Sequence, residues 1–158
     1  MKTFSANKFY FIVSDKKDED AKDLFLYVSR TCERHNLSEE LKLSTKYITV
    51  DSKSEFNEAI LLIEKEAASG IMPYLHIEAH GYHDGIELKS GGRINWLNLL
   101  NYFTKINIAC KNNLFVSMAA CWAGTFTGAL VQKLNKLGEI RSPYMASLDQ
   151  QKIYLRLN

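Results

Sequence analysis

Cysteine is scarce in this chain: three residues in 158, at Cys32, Cys110 and Cys121. A sparse, odd set is no disulfide framework. No two of them stand at the short spacing of a zinc knuckle, which argues against a structural zinc site. An excess of one charge is also missing. Twenty basic residues against 18 acidic ones leave a formal net charge of +2, and the basic residues are scattered, not gathered into a stripe. That pattern speaks against direct nucleic-acid binding. No segment approaches the roughly 20 apolar residues of a membrane span. Met1 to Asn7 lacks the apolar core of a signal peptide. The expected compartment is the cytoplasm, with no membrane contact. Internal repeats, low-complexity stretches and linkers are absent as well.

What remains has the balance of a soluble globular protein, 46% hydrophobic and 24% charged. A chain of 158 residues suits a single domain, 1–158, and domains of this size bury roughly 68–70% of their unfolded surface.

Strand and helix patterns alternate along the sequence. Lys8 to Asp15 (KFYFIVSD) is a short apolar, aromatic-rich run that predicts a buried strand. From Asp20 to His35, Ala21, Leu24, Phe25, Val28 and Cys32 recur at helical spacing. Lys46 to Asp51 is β-branched and strand-like. Ser52 with Glu55 forms a capping box for a helix whose inward face is Phe56, Ala59, Ile60, Ile63 and Ala67, with Gly70 at its exit. Tyr74 to His80 predicts a third strand. GIELKSGGRIN then predicts a hairpin turning at Gly91-Gly92. Asn95 caps a helix carrying Trp96, Leu99, Leu100, Phe103 and Ile106 inward. Leu114 to Ala120 is the fourth strand. Phe126, Leu130, Leu134 and Leu137 mark a helix, and Pro143 to Leu148 and Ile153 to Leu157 are a fifth and a sixth strand. This order predicts an α/β fold of three layers, a mostly parallel central sheet with helices on both faces. The strand-like run at the C-terminus reads as an incomplete part or as one that takes a partner strand.

In an open parallel sheet, sites gather at the carboxyl ends of the strands. After strand three the sequence places His80-Gly81, and after strand four Cys121-Trp122. Neighbouring strands lie about 4.8 Å apart, so two adjoining strand ends can serve one scissile bond. A cysteine attacks a carbonyl as its thiolate, which a nearby histidine and a helix N-terminus both favour. Cys121 precedes a helix starting near Gly124 or Thr125. Gly81 allows close backbone approach to a substrate.

The motifs YLHIEAHG (Tyr74 to Gly81) and LFVSMAAC (Leu114 to Cys121), with His before Cys and about forty residues between them, are similar to those of clan CD cysteine peptidases. That group holds the caspases, metacaspases, gingipains, separases and bacterial CHAT proteins, and the CHAT-like members come nearest because of the hairpin between the motifs. The resemblance follows element order from about Lys8 to Leu148, but at residue level it covers only the two motifs. It implies a caspase-like fold and an endopeptidase acting through a dyad, with His80 as general base and acid and Cys121 as nucleophile. Gly81 and Cys121 would supply the oxyanion donors. It implies no cofactor and no metal. The partners it implies are a protein or peptide substrate and a regulatory protein, in a bacterial stress or defence setting. The sequence departs from the caspase signature: Ala119 stands where that signature has Gln, and Gly124 comes three residues after Cys121. Specificity is open. Asp15, at the end of strand one, and Trp122 are the candidate substrate-binding residues, Trp122 being equally readable as packing.

Plainer readings stand beside these. Cys32 and Cys110 read as core residues, and Trp96 as packing. His76, Glu78 and His80 share strand parity, and a buried hydrogen-bonded network accounts for them more simply than a metal. His76-Ile77-Glu78 matches half of a zinc-deaminase motif, but the P-C-x-x-C half is missing. Two alternative functions follow: a catalytically inactive caspase-like binding module, and a metal-dependent hydrolase using His76, His80 and His83.

Overall fold

The structure, a computed structural model, describes residues 6–14, 19–34, 43–120, 145–147 and 152–156. Its elements are β1 (Lys8–Ser14), α1 (Glu19–Arg34), β2 (Ser44–Thr49), α2 (Lys53–Ala68), β3 (Pro73–Tyr82), β4 (Gly85–Glu87), β5 (Arg93–Asn95), α3 (Trp96–Ala109), β6 (Phe115–Ala119), β7 (Met145–Ser147) and β8 (Lys152–Arg156). None of the described helices is long and apolar enough to cross a membrane. The helix expected from Phe126 lies outside the described residues.

The sheet runs β2-β1-β3-β6-β8-β7, with the β4–β5 hairpin attached to β3. Strands β2, β1, β3 and β6 are parallel neighbours. Strand β8 pairs antiparallel with both β6 and β7, and β3, β4 and β5 are joined antiparallel. The sheet is therefore mixed, which corrects the expectation of a mostly parallel one. The reason is connection length. A parallel neighbour needs a crossover of a dozen or more residues, while antiparallel neighbours need only a turn. Only two residues separate β3 from β4, and only four separate β7 from β8.

Helices cover both faces of the parallel part. On one side, Tyr10, Ile12, Leu75, Ile77, Val116 and Met118 join the buried faces of α2 and α3 in a single apolar cluster. Helix α2 buries Phe56, Ala59, Ile60, Ile63 and Ala67, the face its 3.6-residue spacing predicts. Helix α3 likewise buries Trp96, Leu99, Leu100, Phe103 and Ile106. On the other side Phe11, Val13 and Ala21 are buried, with Phe25, Val28 and Tyr47 packed against them. Leu24 of α1 faces outward instead, 39% exposed.

Caps hold the helix ends where the sequence places them. The Ser52 hydroxyl accepts from Glu55 N–H, and the Glu55 carboxylate accepts from Ser52 N–H at 3.0 Å and Asp51 N–H at 2.6 Å. Those backbone donors keep the Glu55 carboxyl below its usual range. Gly70 leaves α2 at φ 103°, a conformation that costs glycine little. After α3 the chain turns through Lys111 and Asn112, both at positive φ. The buried Asn107 side chain braces that turn, donating to Asn112 Oδ1 and accepting from Leu114 N–H at the entry to β6.

At the amino end of the sheet Glu66 accepts hydrogen bonds from Lys8 Nζ at 2.5 Å and from the Tyr10 hydroxyl. Burial alone would raise the Glu66 carboxyl. The bonds from Lys8 and Tyr10, with the charges of Lys8 and Lys46, outweigh it and hold the carboxyl below its ordinary value. Burial, followed by the bond to Glu66, pushes the Tyr10 hydroxyl far above its usual range. A depressed carboxyl stabilises the fold fully above the ordinary glutamate pKa of about 4.3, and that stabilisation is lost as pH falls through the lower folded value. In Glu66→Gln, the gain in stability between strongly acid pH and about pH 5 is expected to shrink. Urea unfolding at a series of pH values measures it.

Candidate active site at the carboxyl edge of the sheet

Strand β3 is the centre of the site. From Pro73 to Ala79 it pairs with β1, ending at Ser14↔Ala79. From Tyr74 to Glu78 it pairs with β6 on its other side. It then continues as a strand but changes partner: His80, Gly81 and Tyr82 pair with Glu87, Ile86 and Gly85 of β4. The expected strand end at His80 is thus corrected. His80 and Gly81 lie on the strand itself, at the residue where it leaves the parallel sheet. His80 is exposed and Gly81 half-buried.

The hairpin that takes over β3 is held firmly. Leu88 N–H donates to Gly92 O at 2.7 Å and Gly91 N–H to Leu88 O at 2.8 Å, closing a turn with Gly91 at φ 84°. Gly85 has no room for a side chain: a Cβ there would stand 2.0 Å from Ile94 O. Trp96 Nε1 donates to His83 O at 2.9 Å. Arg93 pairs with Glu87 at 3.0 Å and lies over the Tyr82 ring. Lys89 N–H donates to Ser14 Oγ at 3.0 Å and Ser90 N–H to Asp51 O at 2.9 Å, tying the hairpin to the ends of β1 and β2.

The register brings the two sequence motifs together. Glu78, two residues before His80, is opposite Ala119, two residues before Cys121. His76 is likewise opposite Ser117, each four residues earlier in its motif. Cys121, Trp122 and Asp15 lie outside the described residues. Cys121 follows Ala120, the last described residue of that segment, by one peptide bond, and consecutive Cα atoms are about 3.8 Å apart.

Behind His80 on the α1 face lies a polar row. The His76 ring is 6% exposed, and its Nδ1 shares a 2.6 Å hydrogen bond with Ser117 Oγ. Its Nε2 stands 3.7 Å from Glu78 Oε2, an ion-pair contact too long for a hydrogen bond. Ser117, His76 and Glu78 follow the serine, histidine, acid order of hydrolase triads. Ser117, however, is 3% exposed and sealed under the sheet face, so the trio links β3 to β6 and offers no nucleophile to a substrate. Of the three residues expected to share a buried network, His76 bonds to Ser117, Glu78 stands only at ion-pair distance from His76, and His80 is exposed. Among the described residues no group of three His, Cys, Asp or Glu side chains could hold a metal ion. His83 pairs instead with Asp84 at 2.8 Å on the surface.

Cys32 and Cys110 are buried, and burial pushes both thiols up. At neutral pH they are protonated and weakly nucleophilic, as expected of core cysteines. Ser117 was not singled out from the sequence. Its signal was available only once the two motifs were aligned back from His80 and Cys121, because parity on one strand does not reveal a partner on another.

No family model matches the chain, and no curated protein matches it.

Removing Ser117 Oγ would leave a buried ring nitrogen without its bond. Ser117→Ala is expected to destabilise the fold by about 1–3 kcal/mol. Adding His76→Phe is expected to recover part of that loss, since both polar partners are then gone. Denaturant unfolding of the single and double variants checks the coupling.

Proposed function

We propose that this chain is a cysteine endopeptidase of the caspase-like type, with His80 and Cys121 as its dyad. The observation that carries the reading is the register. Histidine and cysteine stand at equal distances beyond the paired residues Glu78 and Ala119 on two adjacent parallel strands. An exposed His80 at the carboxyl edge, with only buried cysteines elsewhere among the described residues, fits the same reading.

The chemistry follows directly. The Cys121 thiol gives its proton to His80, and its sulfur attacks the carbonyl carbon of the scissile peptide. A C–S bond forms, and the carbonyl electrons move to oxygen. Backbone N–H groups of Gly81 and Cys121 receive that oxyanion; such a donor is typically worth about 2.7–4 kcal/mol of barrier. The C–N bond then breaks, and His80 protonates the leaving amine. Water, losing its proton to His80, hydrolyses the thioester and frees the acid, returning the thiol. A dyad of this kind needs no third acid and no cofactor. The family resemblance further suggests control by a protein partner in a bacterial stress or defence response.

The test is site-resolved alkylation by iodoacetamide at neutral pH, read by mass spectrometry on the native chain. Cys121 is expected to label fast, Cys32 and Cys110 slowly, and His80→Ala to slow Cys121 by about 10-fold or more. Labelling of Cys121 at the rate of an ordinary thiol, indifferent to His80, would favour the inactive binding module.

A further inference from the structure

Helix α3 differs from the other two described helices in what it shows to water. Helices α1 and α2 carry charges on their exposed faces, such as Asp23 and Arg30 in α1 and Glu58 and Lys65 in α2, as solvated helices do. Helix α3 has a single charge in its 14 residues, Lys105. Two of its aliphatic side chains are nevertheless in the open, Leu97 at 55% and Ile108 at 69% exposed. Neither belongs to the apolar cluster beneath the helix.

Their spacing says what kind of surface this is. Leu97, Asn101, Thr104 and Ile108 are all exposed, and they follow one another at intervals of four, three and four residues. That is the 3.5-residue repeat of a seam between two packed helices. The stripe is also symmetric about the middle of Trp96–Ala109. Laid antiparallel on a second copy, Leu97 meets the partner's Ile108, and Asn101 meets the partner's Thr104. Apolar then faces apolar and polar faces polar. The Thr104 hydroxyl gives its proton to Leu100 O at 2.8 Å, so its oxygen can accept from a facing amide. Lys105 and Asn98 flank the stripe on one side, seven residues apart and both exposed. Antiparallel helices set equivalent flanks against each other, so Lys105 faces the partner's Asn98 and not a second cation. The opposed helix dipoles favour the same arrangement. A stripe with so little charge offers nothing to a strongly acidic or basic partner, whereas it matches itself at every position.

We propose that α3 is the seam of a symmetric dimer of this chain, with its two-fold axis between Asn101 and Thr104. This goes beyond the peptidase reading and does not depend on it. The helix is about 21 Å long, so the seam falls short of the roughly 1,200 Å² at which standard interfaces begin. The dimer is therefore a transient one that forms as concentration rises.

The test is sedimentation velocity on the full chain from about 10 μM to about 1 mM, the range of weak association. The weight-average mass is expected to rise from 18.1 kDa towards twice that value. Leu97→Glu and Ile108→Lys, both at exposed positions, are each expected to weaken association by about 10-fold or more, since each sets a charge against an aliphatic side chain. Combined in one chain they are expected to associate more tightly than either alone, because the acid and the base then face each other across the antiparallel seam, and to lose that gain in high salt. A mass that stays at 18.1 kDa throughout would overturn the proposal with no variant needed. A dimer indifferent to both single variants would overturn it too, by placing the contact on another face. A double variant no tighter than the singles would overturn the antiparallel pairing.

Discussion

Strand β3 has two sets of obligations. Over its first seven residues it is hemmed in by β1, and from Tyr74 to Glu78 by β6 on the other side, so its register cannot slip without sending a whole row of side chains to the wrong face. Beyond Ala79 neither parallel neighbour pairs with it, and β4 takes over. His80 sits at that handover. It has the rigidity of a strand residue and the openness of a loop residue, a combination suited to a group that must meet a substrate in fixed geometry. The hairpin anchors through Ser14 Oγ and Asp51 O make the handover stiff by tying it to the ends of β1 and β2.

The two faces of the sheet differ in kind. The α2–α3 side is mostly apolar, with side chains such as Ile60, Ile63, Leu99 and Phe103 closing on Leu75, Ile77 and Met118. It supplies cohesion and tolerates little change in volume. The α1 side carries Phe11 and Val13 but also His76, Ser117 and Glu78. Burying polar groups in a sheet face is unfavourable unless each finds a partner. The His76–Ser117 bond meets that demand for those two residues, joining strands that a purely apolar pair would also have joined. What it adds is direction: it fixes the ring and leaves its other nitrogen towards the carboxyl edge, where Glu78 stands.

The helices were legible in the sequence because their signals are local. Ser52 and Glu55 are three residues apart, and the inward faces of α2 and α3 repeat every three or four. The end of β6 at Ala119, one residue short of the expected Ala120, was readable for the same reason. Leu24 misled, since a helical spacing tells which residues share a face but not how far round the covered face extends. Sheet direction at the C-terminal end was not read, although the four-residue gap between β7 and β8 excludes a parallel crossover. The continuation of β3 through Gly81 and Tyr82 was hidden because its partner, β4, is only three residues long. The pairing of His76 with Ser117 depends on two segments 41 residues apart, a distance no single-strand pattern reports.

The position of β8 has a bearing on how the chain assembles. Lys152–Arg156 lies between β6 and β7 and pairs with both. During synthesis from the amino end, the parallel strands can associate before this segment exists. Until it arrives, β6, the strand that precedes Cys121, presents a row of open amide and carbonyl groups, and β7 lacks its partner among the described strands. An open edge of that sort invites pairing with other chains. Among the described strands β8 is thus the one that closes the gap beside β6, and loss of its five residues would bare β6 to pairing with other chains.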